Sequence, residues 1–106
     1  MSITVPLDEL ATTLATYPWC YLVTVSDDQR AHSLAVPTVF ADGRFTAAAG
    51  RTTRINVAAR STITLLCPPP SGHEYSLIID GVARVDGEMV SVEPTAAVLH
   101  RPALRD

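Results

Sequence analysis

The dipeptides Asp42-Gly43 and Asp86-Gly87 constrain the fold of this chain more than any other feature. Each lies between two runs in which apolar and polar residues alternate, and glycine readily adopts the positive φ of a two-residue β-turn. Such alternation is typical of strands with one buried face. The dipeptides therefore predict antiparallel hairpins, which connect residues 31–41 to 45–49 and residues 75–85 to 89–92.

Further strands and two helices complete the predicted order of elements. Residues 19–26 alternate with a period of two, and residues 62–67 fit a buried strand. Apolar residues at helical spacing predict one helix over residues 6–16, which Pro18 ends, and a second over residues 51–60. Pro37 has no backbone N–H and is expected at a sheet edge or a bulge, and Pro94 is expected to interrupt the last strand before residues 96–99. The order predicts one domain over residues 1–106, a closed or half-closed antiparallel barrel with two helices.

The charged residues exclude several functions. All eight basic residues are arginine, so a lysine Schiff base and a lysine-containing phosphate loop are both excluded. A net charge of −3 without a basic run argues against a nucleic-acid partner. No apolar stretch approaches the roughly 18 residues that span a bilayer, and Asp8 and Glu9 do not fit a secretory signal. We therefore expect no membrane partner, and a cytoplasmic protein with Cys20 and Cys67 as reduced thiols.

The segment Arg51-Thr52-Thr53-Arg54 carries the strongest chemical signal. It follows a strand and Gly50 and begins the second helix, where free backbone N–H groups and the helix dipole attract anions. The hydroxyls and guanidinium groups add hydrogen-bond donors for phosphate. The segment predicts a phosphate site, and the alternative is a capped surface helix with solvated arginines. The three histidines lack metal-site spacing, and no GxSxG motif is present, so neither a metal nor a catalytic side chain is predicted.

The chain resembles the flavin-binding split-barrel family typified by pyridoxamine 5'-phosphate oxidase, together with its deazaflavin (F420) dependent relatives. The resemblance covers nearly the whole chain and rests on the order and spacing of WCYLVTV, AHSLAVPTVFADGRF, TAAAGRTTRINV, ITLLC and LIIDGVARV. It implies a mainly β fold, a split β-barrel of six to seven antiparallel, Greek-key-like strands. An N-terminal helix and a short helix after the third strand complete that fold.

The resemblance also implies a cofactor site at the interface of a homodimer. FMN, or alternatively F420, would lie against the second and third predicted strands, with its phosphate at the start of the short helix. Carried over by position, the cofactor-binding residues are Ala35, Val36, Pro37, Thr46, Ala47, Ala48, Arg51, Thr52, Thr53, Arg54 and Asn56. Thr53 stands where the family usually has a basic residue, so Arg51 or Arg54 would supply the charge.

These features support one leading hypothesis and two alternatives. The leading hypothesis is a homodimeric oxidoreductase that uses FMN or F420 on a small-molecule substrate. The chain lacks the helical insertion and the C-terminal extension of pyridoxamine phosphate oxidases, so that particular activity is not expected. One alternative is a non-catalytic dimer that binds or sequesters a flavin, and the other is a haem-binding relative with His32 or His100 as the axial ligand.

Overall fold

Eight antiparallel strands and two short helices form the fold that the computed structural model describes for residues 1–104. The strands are β1 (Ser2–Thr4), β2 (Trp19–Val25), β3 (Ala31–Pro37), β4 (Phe40–Ala41), β5 (Arg44–Ala48), β6 (Thr62–Cys67), β7 (Ser76–Asp86) and β8 (Met89–His100). A 3-10 turn, Leu7–Glu9, leads into α1 (Leu10–Leu14), and α2 is Arg51–Ala59. None of the helices within residues 1–104 is long and apolar enough to cross a membrane.

The sheet is curled into a barrel that does not close. Its strand order is β3-β2-β6-β7-β8-β5-β4, with β1 added beside β8, so β3 and the β4–β5 hairpin lie at opposite ends. The curl brings β3 close to β5, and the chain passes from β3 through Thr38 and Val39 into β4. The Val39 carbonyl accepts a hydrogen bond from the Thr46 N–H at 3.0 Å, which extends the β4–β5 hairpin by one position. Beyond that point β3 and β5 form no ladder, which leaves the barrel split. The mainly β split barrel predicted from the sequence is confirmed.

The core lies inside this barrel and follows the predicted alternation. On β2, Cys20 and Leu22 point inward and are fully buried, whereas Tyr21 points outward. Burial of each large aliphatic side chain contributes roughly 1.5–3 kcal/mol. The other large, fully buried apolar side chains are Leu10, Leu14, Phe45, Val57, Leu65, Leu77, Ile79, Val90 and Val92. Both helices therefore bury part of their apolar surface against the same core as the strands.

Both predicted hairpins form, but the second turn is shifted by one residue, because Asp86 pairs with Met89 and the central turn residues are Gly87 and Glu88. Asp42 and Gly43 have φ values of 53° and 73° and join β4 to β5 as a type I′ turn. Gly87 has φ 61° at the first central position between β7 and β8. Pro37 lies on β3, which is an edge strand, as its missing N–H requires.

Other boundaries differ from the prediction. The helix expected over residues 6–16 is shorter, because its first turn is a 3-10 turn and α1 ends at Leu14. The strand expected over residues 31–41 divides at Thr38, whose N–H bonds the Pro18 carbonyl at 3.0 Å as the chain passes to β4. β8 is one continuous strand through Pro94, because a register shift opposite Asp80 and Gly81 accommodates the proline. β1 was not predicted, since three exposed residues carry no burial pattern.

The prediction of two reduced thiols is wrong. Cys20 and Cys67 face each other on the neighbouring strands β2 and β6, and their sulfur atoms form a disulfide in the barrel interior. Both residues are fully buried. No local sequence pattern indicates this contact, because the cysteines are separated by 47 positions and meet only through strand pairing.

We expect the disulfide to stabilise the fold by about 3 kcal/mol, because it cross-links distant parts of the unfolded chain. Reduction with dithiothreitol under mildly denaturing conditions should lower the melting temperature measured by circular dichroism. A variant with Cys20→Ala and Cys67→Ala is the control, since its melting temperature should not respond to reductant. An equal response of both proteins would contradict a structural disulfide.

Gly81 is required by a close approach between strands. A Cβ atom at this position would lie 2.7 Å from Val92 Cγ1 and 2.8 Å from the carbonyl oxygen of Glu93. The carbonyl belongs to the neighbouring strand and cannot move without disturbing the ladder. The position therefore excludes any side chain.

Gly81→Ala should accordingly destabilise the protein by about 1–3 kcal/mol, the usual cost of overpacking a core. Urea unfolding followed by circular dichroism measures the change. Gly50→Ala is the matched control for stability, because a Cβ at Gly50 would meet no atom within 4 Å. Equal stabilities of the two variants would contradict the inferred clash.

Candidate functional site

A shallow groove of about 380 Å³ lies at the open side of the barrel. It is bordered by β3, by the end of β5, by the start of α2 and by the β7–β8 turn. Its lining residues are Leu34, Ala48, Ala49, Gly50, Arg54 and Glu88. The groove exists because β3 and β5 are the strands that the curled sheet leaves unpaired with each other.

The junction between β5 and α2 supplies backbone donors to this groove. Gly50 is extended, with φ −69° and ψ 174°, and no side chain caps α2 at this end. The first backbone N–H groups of a helix have no intrahelical acceptor. The Ala49 N–H bonds the Glu88 carbonyl at 3.1 Å, which fixes the junction against the β7–β8 turn. The arrangement suits an anion, since the positive end of the helix dipole is held in a fixed position.

The edge of β5 offers a further hydrogen-bonding surface. Thr46 directs its N–H towards Val39 on the β4 side. Backbone groups alternate along a strand, so those of Ala48 point to the same side as those of Thr46. Ala48 lies beyond the last residue pair of β4 and β5, Phe40 with Phe45. This edge can therefore bond the polar rim of a flat ligand.

Arg54 is the charged donor in the groove. Its Nε atom is buried and has no hydrogen-bond partner within residues 1–104. A buried donor without an acceptor costs about 1–3 kcal/mol, more when the group is charged. A phosphate beside the guanidinium would give this side chain the acceptor that it lacks. The residues present therefore fit a phosphate-bearing ligand.

The predicted cofactor-binding residues fall into two groups. Ala35, Pro37, Ala48, Arg51 and Thr52 are exposed, and Thr46 and Arg54 are partly exposed. Val36, Ala47, Thr53 and Asn56 are buried. Ala48 and Arg54 line the groove, and Arg51 and Thr52 adjoin it in the first turn of α2. The buried side chains of the second group face the core, so their assigned role in binding remains a prediction.

Asn56 has a defined structural contact. Its amide nitrogen donates to the Thr24 hydroxyl at 3.1 Å and to the Ser26 hydroxyl at 3.2 Å. The bonds fasten the middle of α2 to β2 inside the molecule. Arg54 lies on the same helix, so the hydrogen bonds of Asn56 also hold the backbone that carries the guanidinium.

Asn56→Leu should lower stability by about 2 kcal/mol, since it leaves two hydroxyls without their buried donor. Thermal unfolding measures this loss. Asn56→Asp tests whether the hydrogen-bond donor or the size of the side chain matters, because it keeps the size but removes the N–H group. We expect this variant to be destabilised by a similar amount. Native-like stability of both variants would contradict a fastening role.

Four lining residues were not among the predicted site residues, namely Leu34, Ala49, Gly50 and Glu88. Gly50 carried a usable signal, because a glycine between a strand and a helix often marks an anion-binding turn. Glu88 follows the Asp86-Gly87 turn and had no signal of its own. It reaches the groove only because β7 and β8 pair next to β5.

Solved structures share this fold. A FAD-binding protein from Mesorhizobium loti has a TM-score of 0.72 at 10% identity, covering 93% of this chain and 96% of its own. A Listeria innocua protein provisionally named a pyridoxamine 5'-phosphate oxidase has a TM-score of 0.71 at 14% identity, with 88% and 96% covered. An F420 reductase has a TM-score of 0.64 at 17% identity, with 80% and 93% covered. The chain therefore has the split-barrel fold of these proteins.

Two mycobacterial proteins are similar to the chain in sequence. It is 40% identical over 119 residues to uncharacterized proteins of Mycobacterium bovis and of Mycobacterium tuberculosis, covering 96% of this chain and 84% of each relative. No protein-family model matches the sequence. The chain belongs to the family of these two mycobacterial proteins.

Proposed function

We propose that the protein binds a flavin-type cofactor, FMN or the deazaflavin F420, in the groove between β3 and β5. It then acts as an oxidoreductase on a small organic substrate. One observation carries the proposal, which is the Arg54 donor without an acceptor beside the uncapped start of α2. Both cofactors combine a phosphate with a tricyclic ring, and the groove joins an anion site to an open strand edge.

The phosphate would be held by Arg54 and by the backbone N–H groups in the first turn of α2. Arg51 and Thr52 are exposed beside that turn and would add charge and a hydroxyl donor. The Glu88 carboxylate repels a phosphate, so the anion would lie at the Arg54 side of the groove. Thr53 has no exposed surface to offer, and it would act by packing α2 in place.

The ring would lie along the strand edges. Ala35 and Ala48 are small and exposed, so a flat ring can approach the backbone closely at these positions. The open edge of β5 would bond the polar rim of the ring. The bound cofactor would supply the redox chemistry, and the protein would hold and orient it. The FAD-binding and F420 reductase names of two structural neighbours favour this ligand class.

The groove also favours a site completed by two chains. It is shallow, and one chain of this size covers only one side of a flat cofactor. A homodimer would provide the second side and would exclude water from the ring. We place this dimer in the cytoplasm, as the sequence predicts, although disulfides are uncommon in that compartment.

A non-catalytic flavin-binding dimer is the second candidate. Glu88 is the one acid that lines the groove within residues 1–104, so the protein itself offers little proton-transfer chemistry there. Turnover with added reductant and acceptor distinguishes the two candidates. The haem-binding alternative lacks support from the groove, because neither His32 nor His100 lines it and His100 Nδ1 lies 2.9 Å from the Ser2 hydroxyl.

Titration with FMN and with F420, followed by cofactor absorbance and fluorescence, tests the proposal. We expect at least one of them to bind with a Kd below about 100 μM. Arg54→Gln should weaken that binding about tenfold or more, because a hydrogen bond to a charged group contributes about 1.5–3 kcal/mol.

Arg30→Gln is the matched control, since Arg30 is highly exposed on the β2–β3 turn and does not line the groove. It should bind the cofactor as the native protein does. The proposal fails if neither cofactor binds, or if both variants weaken binding equally.

A further inference from the structure

A carboxylate borders the anion-attracting end of the groove. Glu88 lines the groove together with Arg54. The Glu88 carbonyl accepts the hydrogen bond from the Ala49 N–H at 3.1 Å, and Ala49 directly precedes Gly50, the residue before α2. The β7–β8 turn is therefore fixed against the start of α2. The Glu88 side chain shares the groove with the backbone donors that a phosphate would use.

The two charged lining residues are not neutralised by the chain itself. Within residues 1–104, neither Arg54 nor Glu88 takes part in an ion pair. The next charges on the same elements, Arg51 on α2 and Asp86 at the end of β7, are exposed outside the lining and have opposite signs. The groove therefore offers a phosphate one positive and one negative side chain, plus roughly half a positive charge from the helix start.

Phosphate esters differ in the charge that they bring to such a site. A phosphomonoester has a second pKa of about 6 and carries about −1.5 to −2 charges at neutral pH. A phosphodiester keeps a single negative charge. Attraction to the groove rises in proportion to the charge, whereas the cost of taking an ion out of water rises with its square. A site with a small net positive charge therefore favours the diester.

We infer that Glu88 sets the phosphate selectivity of the groove, so that a flavin or deazaflavin with a singly charged phosphodiester binds in preference to one with a phosphomonoester. F420 carries a phosphodiester and FMN a phosphomonoester, so the inference favours F420. It rests on the proposed function, because it takes the phosphate to lie at the start of α2. Glu88 acts through its charge across the groove and is not a catalytic residue.

Two flavins that share one ring system test this selectivity. Riboflavin 4′,5′-cyclic phosphate is a phosphodiester with one charge, and FMN is the corresponding phosphomonoester. Flavin fluorescence in low-salt buffer at about pH 8, where the FMN phosphate is a dianion, measures the dissociation constants. We expect the native protein to bind the cyclic phosphate at least about threefold more tightly than FMN.

Glu88→Gln removes the charge and keeps the shape of the side chain. It should tighten binding of the cyclic phosphate about threefold and of FMN about tenfold, because the repulsion that is removed is proportional to the charge of the ligand. Riboflavin has no phosphate, and its binding should change less than about twofold. Comparing the same two ligands in both proteins cancels any other difference between the ligands.

Two further variants control for shape and for net charge. Glu88→Asp keeps a carboxylate and should retain the native preference for the cyclic phosphate. Asp42→Asn removes a carboxylate from the β4–β5 turn, outside the groove, and should leave each affinity within about twofold of native. Both substituted side chains are exposed, and circular dichroism checks the fold of each variant.

The outcomes separate this inference from the proposed function. Tighter binding of FMN than of the cyclic phosphate by the native protein, or an equal gain for both ligands in Glu88→Gln, would overturn the charge selection and leave the cofactor site in place. Equal gains in Asp42→Asn and Glu88→Gln would overturn the local role of Glu88. If neither the native protein nor Glu88→Gln binds FMN, the cyclic phosphate or F420, the inference and the proposed function both fail.

Discussion

The gap between β3 and β5 is the constraint on which the remaining structure depends. The sheet curls until β3 lies close to β5, but the two strands form no ladder with each other. Unpaired edges normally favour aggregation, and proteins protect them. Here the gap contains a groove, with α2 beginning at one end and the β7–β8 turn supporting it. The open barrel thus turns an edge into a candidate binding site.

The position of α2 depends on contacts inside the barrel rather than on helix propensity. The helix has nine residues and no side-chain cap, so it would be marginal by itself. Val57 packs in the core, and Asn56 is bonded to Thr24 on β2 and to Ser26, which directly follows β2. These contacts hold the first turn and Arg54 at the groove. The buried side of α2 therefore determines where the Arg54 guanidinium lies in the groove.

Local sequence patterns predicted the parts of the fold that depend on neighbouring residues, such as tight turns. Asp42-Gly43 forms a turn because its neighbours alternate on both sides, and the strands on either side of it follow. Asp80-Gly81 has the same composition but lies within a continuous strand, where the bulge opposite Pro94 and the close approach to Val92 require the glycine. The surrounding strand pairing, which a dipeptide does not encode, decides between these two outcomes.

The sequence by itself determined the two hairpins, the order of the longer elements without β1 and the separate β4, and the location of the start of α2 after Gly50. Each of these depends on residues within a few positions of one another. The tertiary structure decided which of the predicted site residues reach the groove, and it added Leu34 and Glu88 from distant segments. It also paired Cys20 with Cys67 across β2 and β6. These features depend on strand register over long separations, and register is fixed only when the whole sheet buries one side.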